Sequence, residues 1–162
     1  MRNFVLGRGS LVPGKFKRIL VAVDGSENSA RAAKVAIALA EKFNAQLIIC
    51  NAIQVPFYSF AQTGLVVPVD TIRDYLAAAR EDAKKMLGKL VQLAEAHHVK
   101  TESVVKENTR SVVEAVVTLA ESRHVDLIVI GSRGLSGFKR LLIGSISSGV
   151  INHAHCPVLV VR

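Results

Sequence analysis

Apolar residues along the chain fall into two alternating patterns. Arg18 to Val23 (Arg-Ile-Leu-Val-Ala-Val) is a near-continuous apolar run, as expected of a strand buried on both faces. Asp24-Gly25-Ser26 then turns the chain. A helix follows to about Asn44, with Ala32, Ala36, Leu39 and Phe43 on one face and Arg31, Lys34 and Glu41 on another. Leu47-Ile-Ile-Cys50 reads as a second buried strand. From Asp70 the pattern is helical again: Ile72, Leu76, Ala79, Ala83, Met86, Leu90, Leu93 and His97 recur at spacings of four and three. Gly88 lies inside this helix, at a cost of about 1 kcal/mol relative to Ala. A short strand near Glu102 to Lys106 follows. Ser111-Val-Val-Glu114 has the form of a capping box opening a helix to about Arg123. Asp126 to Ile130 is a fourth strand, Gly144 to Ala154 a fourth helix, and Pro157 to Val161 a fifth strand.

Strict alternation of strand and helix predicts an α/β domain: one doubly wound parallel sheet with helices on both faces, joined by right-handed crossovers. Ligands of such folds bind beyond the carboxyl ends of the strands, where the strand order reverses. Two strands end in turns suited to this, the first at Asp24 and the fourth at Gly131. The stretch from Ala52 to Pro68 has no period and holds Phe57, Tyr58 and Phe60, three of the eight aromatic residues. Loops of that length in compact domains are commonly functional.

The candidate chemistry centres on Gly131-Ser-Arg-Gly134, followed after nine residues by Gly144-Ser145. Glycine suits a backbone that bends sharply or lies close against a ligand. A helix start offers free N–H groups and a partial positive charge, which suit a phosphate. Strand, glycine-punctuated loop and helix start therefore form a candidate phosphate cradle, with Ser145 adding a hydroxyl. An ordinary tight loop with a glycine-capped helix would not need the whole Gly131, Gly134 and Gly144-Ser145 pattern. Arg133, Lys139 and Arg140 share this loop, but long basic side chains there are read as solvated.

Charge changes little. The net charge is +8, yet residues 1–18 carry Arg2, Arg8, Lys15, Lys17 and Arg18 with no acid, which leaves sixteen basic and thirteen acidic residues in the remainder. Residues 1–15 are therefore expected to be a flexible basic extension to a single domain over 16–162, and no nucleic-acid partner is expected. No run of eighteen apolar residues suggests a membrane span, and Met1 to Gly7 lacks the features of a signal peptide. A cytoplasmic location is the expectation. Cys50 and Cys156 read as small buried hydrophobes kept reduced. His153-Ala-His155-Cys156 matches no metal-ligand spacing, so no metal site is expected.

Three blocks, Ile19-Leu-Val-Ala-Val-Asp-Gly-Ser26, Val125-Asp-Leu-Ile-Val-Ile-Gly-Ser-Arg-Gly134 and His155-Cys-Pro-Val-Leu-Val-Val-Arg162, together resemble the universal stress protein family, over roughly residues 16–162. The glycine pattern is similar to that of its nucleotide-binding branch. The resemblance implies a five-stranded sheet of order 3-2-1-4-5 with an ATP site between strands 1 and 4, open also to ADP or AMP, with Mg²⁺ as the counter-ion of ATP. Asp24 matches the acidic residue that holds the ribose hydroxyls, and Ala52 falls near the adenine wall. Gly131, Gly134, Gly144, Ser145, Ile146 and Ser147 match the phosphate cradle. For Asp24, a turn-stabilising or capping role is the competing assignment.

A nucleotide-binding regulatory protein of the stress response, acting through dimerisation or an unidentified protein partner, is the first functional expectation. A slow ATPase or other nucleotide-handling enzyme is the alternative. Fast phosphoryl transfer needs a positioned base, metal ligands and cationic stabilisation. The chain lacks a Gly-x4-Gly-Lys-Ser/Thr motif, and Glu27 is the nearest acid to the cradle. A nucleotide-free scaffold is the third reading, disfavoured by the intact glycines. In the implied order, Pro157 to Arg162 becomes an apolar edge strand, and pairing with a second copy would protect it. A homodimer through the C-terminal strand is therefore expected.

Overall fold

The computed structural model describes residues 16–54, 68–109, 111–135 and 143–162. The basic extension 1–15, the aromatic cluster Phe57, Tyr58 and Phe60, and the loop cations Lys139 and Arg140 lie outside the described residues.

Five parallel strands, β1 (Arg18–Ala22), β2 (Gln46–Gln54), β3 (Thr101–Thr109), β4 (Leu127–Gly131) and β5 (Val158–Val161), form one sheet in the order β3-β2-β1-β4-β5. Four helices connect them: α1 (Glu27–Phe43), α2 (Val69–Ala96), α3 (Val112–Ser122) and α4 (Ser145–His153). The 3-2-1-4-5 order expected from the resemblance is the order found.

Two apolar layers hold the sheet. On one face Ile19, Val21, Leu47, Ile49, Leu127 and Val129 pack against Ala32, Ala33, Ala36 and Ile37 of α1 and Leu87 and Ala94 of α2. On the other, Leu20, Ile48, Cys50, Ile128 and Ile130 meet Val116, Leu119 and Ala120 of α3 and Val150 of α4. Alternate residues of β1, β2 and β4 thus point into opposite layers and both are buried, which is why these strands read as unbroken apolar runs.

Local chemistry sets the element ends. The Ser26 hydroxyl accepts from Ser29 N–H at 3.2 Å and caps α1, and Ser111 does the same for Glu114 N–H at 3.3 Å at the start of α3. Gly25 has φ +86°, a left-handed conformation that suits glycine in the turn from β1 into α1. Asn44, the C-cap of α1, is also left-handed at φ 51°.

Two boundaries differ from the sequence reading. β2 and β3 are longer than their apolar cores suggested, so Ala52 lies within β2 and not in the loop beyond it. Polar Asn51 interrupts the apolar run but not the strand, because its side-chain amide donates to Val23 O at 2.8 Å and ties β2 to the end of β1. Asp126, expected to open β4, lies just before it and accepts from Lys17 N–H and Arg18 N–H, both at 2.8 Å.

Candidate functional site

Reversal of the strand order between β1 and β4 opens a cleft at their carboxyl ends, since the connections leaving the two parallel strands run to opposite faces. A cavity of about 330 Å³ occupies this position, on the face covered by α3 and α4. Ala22, Cys50 and Ile130 contribute sheet residues to its lining, with Ala52 and Gln54 farther along β2. Val112 and Val116 of α3 and Ile146 and Ser147 of α4 add helix residues. The β1–α1 turn supplies Asp24, and the glycine loop supplies Arg133, Gly134 and Leu135. The lining is mainly apolar with a few polar groups, the usual composition of a small-molecule site.

Six of the eight residues singled out in the sequence line the cavity: Asp24, Ala52, Gly131, Gly134, Ile146 and Ser147. Gly144 and Ser145 are outside the lining but adjoin it at the start of α4. Gly144 N–H donates to Ser132 O at 2.7 Å, so the two ends of the glycine loop meet at its neck.

The three glycines differ in what surrounds them. A Cβ on Gly131 would lie 2.8–3.0 Å from the Asn28 and Ser29 backbone. Its bareness therefore lets β4 pass close under α1. At Gly134 a Cβ would meet Asp24 Oδ2 at 2.5 Å. At Gly144 it would make only ordinary contacts, 3.5 Å to Ser132 O and 3.6 Å to Arg133 Cα. Gly144 also has φ −73°, open to any residue. The described surroundings do not require glycine there.

Three helix starts border the site, and they are finished differently. Serine side chains cap α1 and α3, whereas α4 begins at Gly144 with no side-chain cap. Among the described residues no side chain caps the start of α4, and an uncapped helix start is a position that suits an anion.

Both oxygens of Asp24 are engaged within the protein. Oδ1 accepts from Ser26 N–H at 3.0 Å and Oδ2 from Leu135 N–H at 3.2 Å. The first bond is the turn-stabilising contact of the competing assignment; the second reaches across to the glycine loop. Ser147 is committed too: its buried hydroxyl donates to Gly131 O at 2.7 Å. Ser145 is exposed.

Among the described lining residues Asp24 and Arg133 carry the charged side chains. Burial pushes the Cys50 thiol up to about 12, against a weaker opposing pull from Lys106. It is a neutral wall group at physiological pH. Sequence reading missed Cys50, Val112, Val116, Ile130 and Gln54 as wall residues. Four of these are apolar or thiol residues that carry no signal distinguishing cavity wall from core.

Comparison with known proteins places this arrangement. The universal stress protein family profile matches residues 15–162. The chain belongs to the universal stress protein family. A universal stress protein of Methanocaldococcus jannaschii is 35% identical over 148 residues, covering 91% of this chain and 82% of that one. Universal stress protein UspA from Lactobacillus plantarum superposes with a TM-score of 0.78 at 22% identity, covering 92% of this chain and 99% of that one. A universal stress protein solved in complex with cAMP gives a TM-score of 0.62 at 27% identity, covering 92% of this chain and 98% of that one. Among the described residues no helix is long and apolar enough to cross a membrane.

Proposed function

We propose that this protein is a nucleotide-binding regulatory module whose ligand is an adenine nucleotide, ATP in the first instance. Its phosphates would meet Gly144, the α4 amides and Ser145, its ribose Asp24, and its base the wall that includes Ala52. The observation that carries the reading is the start of α4. Helix α4 opens without a side-chain cap beside a 330 Å³ cavity, at a glycine that its described surroundings do not require. The cAMP complex of a universal stress protein 27% identical supports a nucleotide ligand for this fold. Bound ATP, with Mg²⁺ as its counter-ion, would supply negative charge at the loop neck.

The lining favours holding a nucleotide over transforming it. Asp24 is assigned to the sugar, Cys50 is held neutral, and Arg133 is a cation, so no described wall residue is left to act as a base on the phosphates. Signalling would then pass through shape or assembly, with a second copy paired on β5. Mass spectrometry of small molecules released on denaturing the purified protein tests the reading. Adenine nucleotide at near-stoichiometric yield supports it. An empty protein that also fails to bind ATP by titration calorimetry would overturn it.

A further inference from the structure

The structure also reassigns Gly134. In the expectation drawn from the glycine pattern, Gly134 belongs to the phosphate cradle with Gly131 and Gly144. The surroundings of the three differ, and the only described side chain a Cβ on Gly134 would meet is Asp24, 2.5 Å from Oδ2 and 3.7 Å from Cγ. The backbone of Gly134 is not in the left-handed region, so its conformation does not demand glycine.

Asp24 itself is held by two amides from opposite sides. Ser26 N–H fixes Oδ1 from within the β1–α1 turn, and Leu135 N–H fixes Oδ2 from the residue after Gly134. Ser26 Oγ adds a bond to Arg133 O at 3.4 Å, so the turn and the loop are stitched together around the carboxylate. A carboxylate oxygen has more than one acceptor direction, so each can take a ligand hydroxyl besides its amide. The amides therefore orient the group without exhausting it.

From this geometry we infer that Gly134 is a positioning residue for Asp24, and through it for the sugar of the nucleotide, and not a phosphate-contacting residue. Its missing side chain leaves the space in which Oδ2 lies. Any Cβ drives the carboxylate away and breaks its bond to Leu135 N–H. The displaced atom is the far end of a short side chain, so the collision is relieved by moving Asp24, without moving backbone. The consequence is selective: loss of sugar recognition with phosphate recognition intact. This inference rests on the nucleotide reading proposed above.

Titration calorimetry on the full chain separates the two. Wild type, Gly134→Ala, Asp24→Ala and the double variant are each titrated with ATP and with 2′,3′-dideoxy-ATP. Wild type should prefer ATP roughly ten- to hundredfold, the range for a hydrogen bond to a charged group. Gly134→Ala should erase most of that preference by weakening ATP alone, with dideoxy-ATP held within about twofold. In the Asp24→Ala background the added methyl has nothing to strike. The double variant should then fold even if Gly134→Ala does not, and bind both ligands as Asp24→Ala does. Equal weakening of both ligands by Gly134→Ala, or a further loss in the double variant, would return Gly134 to the phosphates and overturn the inference. Wild-type binding of ATP without sugar preference would overturn it while leaving the nucleotide reading standing. Failure of wild type to bind either ligand removes both.

Discussion

The hydroxyl of Ser147 donates to the carbonyl oxygen of Gly131 at 2.7 Å, fully inside the protein and sixteen residues away along the chain. This bond joins the first turn of α4 to the last residue of β4 beneath the cavity, so it fixes the relation of the helix start to the sheet. Ser145, two residues earlier, is exposed. Two serines in one helical turn thus lie in different surroundings.

Substitution separates them. Ser147→Ala leaves the Gly131 carbonyl without this partner and should destabilise the fold by about 1–3 kcal/mol in urea unfolding. Ser145→Ala should leave stability within ~0.5 kcal/mol, as surface substitutions do. It should weaken ATP by about 1–3 kcal/mol, the loss expected for a bond to a charged group. The reverse pattern would exchange their roles.

Gly131 and Gly144 make a second contrast. A valine at 131 must push against the backbone of α1 at 2.8–3.0 Å, where no side chain can swing away. Overpacking of that kind costs about 1–3 kcal/mol or more, so Gly131→Val should lower the unfolding midpoint before ligand is considered. Gly144→Val meets protein atoms only at 3.5–3.6 Å. It should unfold near the wild-type midpoint while losing ATP in calorimetry. Retained ATP affinity in a folded Gly144→Val protein would remove the α4 start from the site.

Much of this was legible in the chain, for identifiable reasons. β1, β2 and β4 are buried on both faces, so their apolar runs announced them, and Ser111 three residues before Glu114 announced the cap of α3 that the structure contains. What the chain does not carry is direction. Gly131, Gly134 and Gly144 are alike as letters, yet their absent side chains would meet the α1 backbone, Asp24 and, at ordinary contact distance, the Ser132–Arg133 backbone respectively. The length of β2 was hidden for a similar reason: Asn51 reads as a break until its amide is seen to bond to Val23 O. Cavity walls such as Val112 and Val116 are indistinguishable by pattern from core residues of the same helix.

The two cysteines predict a pH dependence in the alkaline range. Burial raises the Cys50 thiol to about 12 and, with the nearby Asp126 carboxylate, the Cys156 thiol to about 11, from an ordinary 9.0. The folded state keeps these protons at pH values where the unfolded chain has lost them. Their neutral thiols therefore contribute no penalty below pH 9, and stability falls as pH rises from 9 towards 11–12. A single thiol contributes a slope of at most about 1.4 kcal/mol per pH unit in that window. Urea unfolding between pH 8 and 11 should show a shallower decline for Cys50→Ala than for wild type, whatever the cost of the lost volume at pH 8. Parallel curves would mean that Cys50 titrates normally in the fold.

Assembly is the last prediction, and the two edges of the sheet decide its form. β3 is nine residues long but charged: Glu102 pairs with Arg123 at 2.8 Å, Glu107 pairs with Arg80, and Lys106 lies between them. Charged side chains on an edge strand discourage pairing with another chain. Among the described residues β5 has no such protection. Val158 and Val160 pack into the α3–α4 layer, and Leu159, on the opposite face, is 37% exposed. Ile151 of α4 adds a second exposed apolar side chain, at 42%. An isologous pairing of two β5 strands about a two-fold axis would satisfy the free backbone edge and bury Leu159 at once. Sedimentation or light scattering at micromolar concentration should therefore give about twice the 17.4 kDa chain mass. Leu159→Asp would set two carboxylates near the symmetry axis and should shift the protein to monomer with its fold retained, because the side chain is already part-exposed in the single chain. A wild-type monomer, or a Leu159→Asp dimer, would place the contact elsewhere.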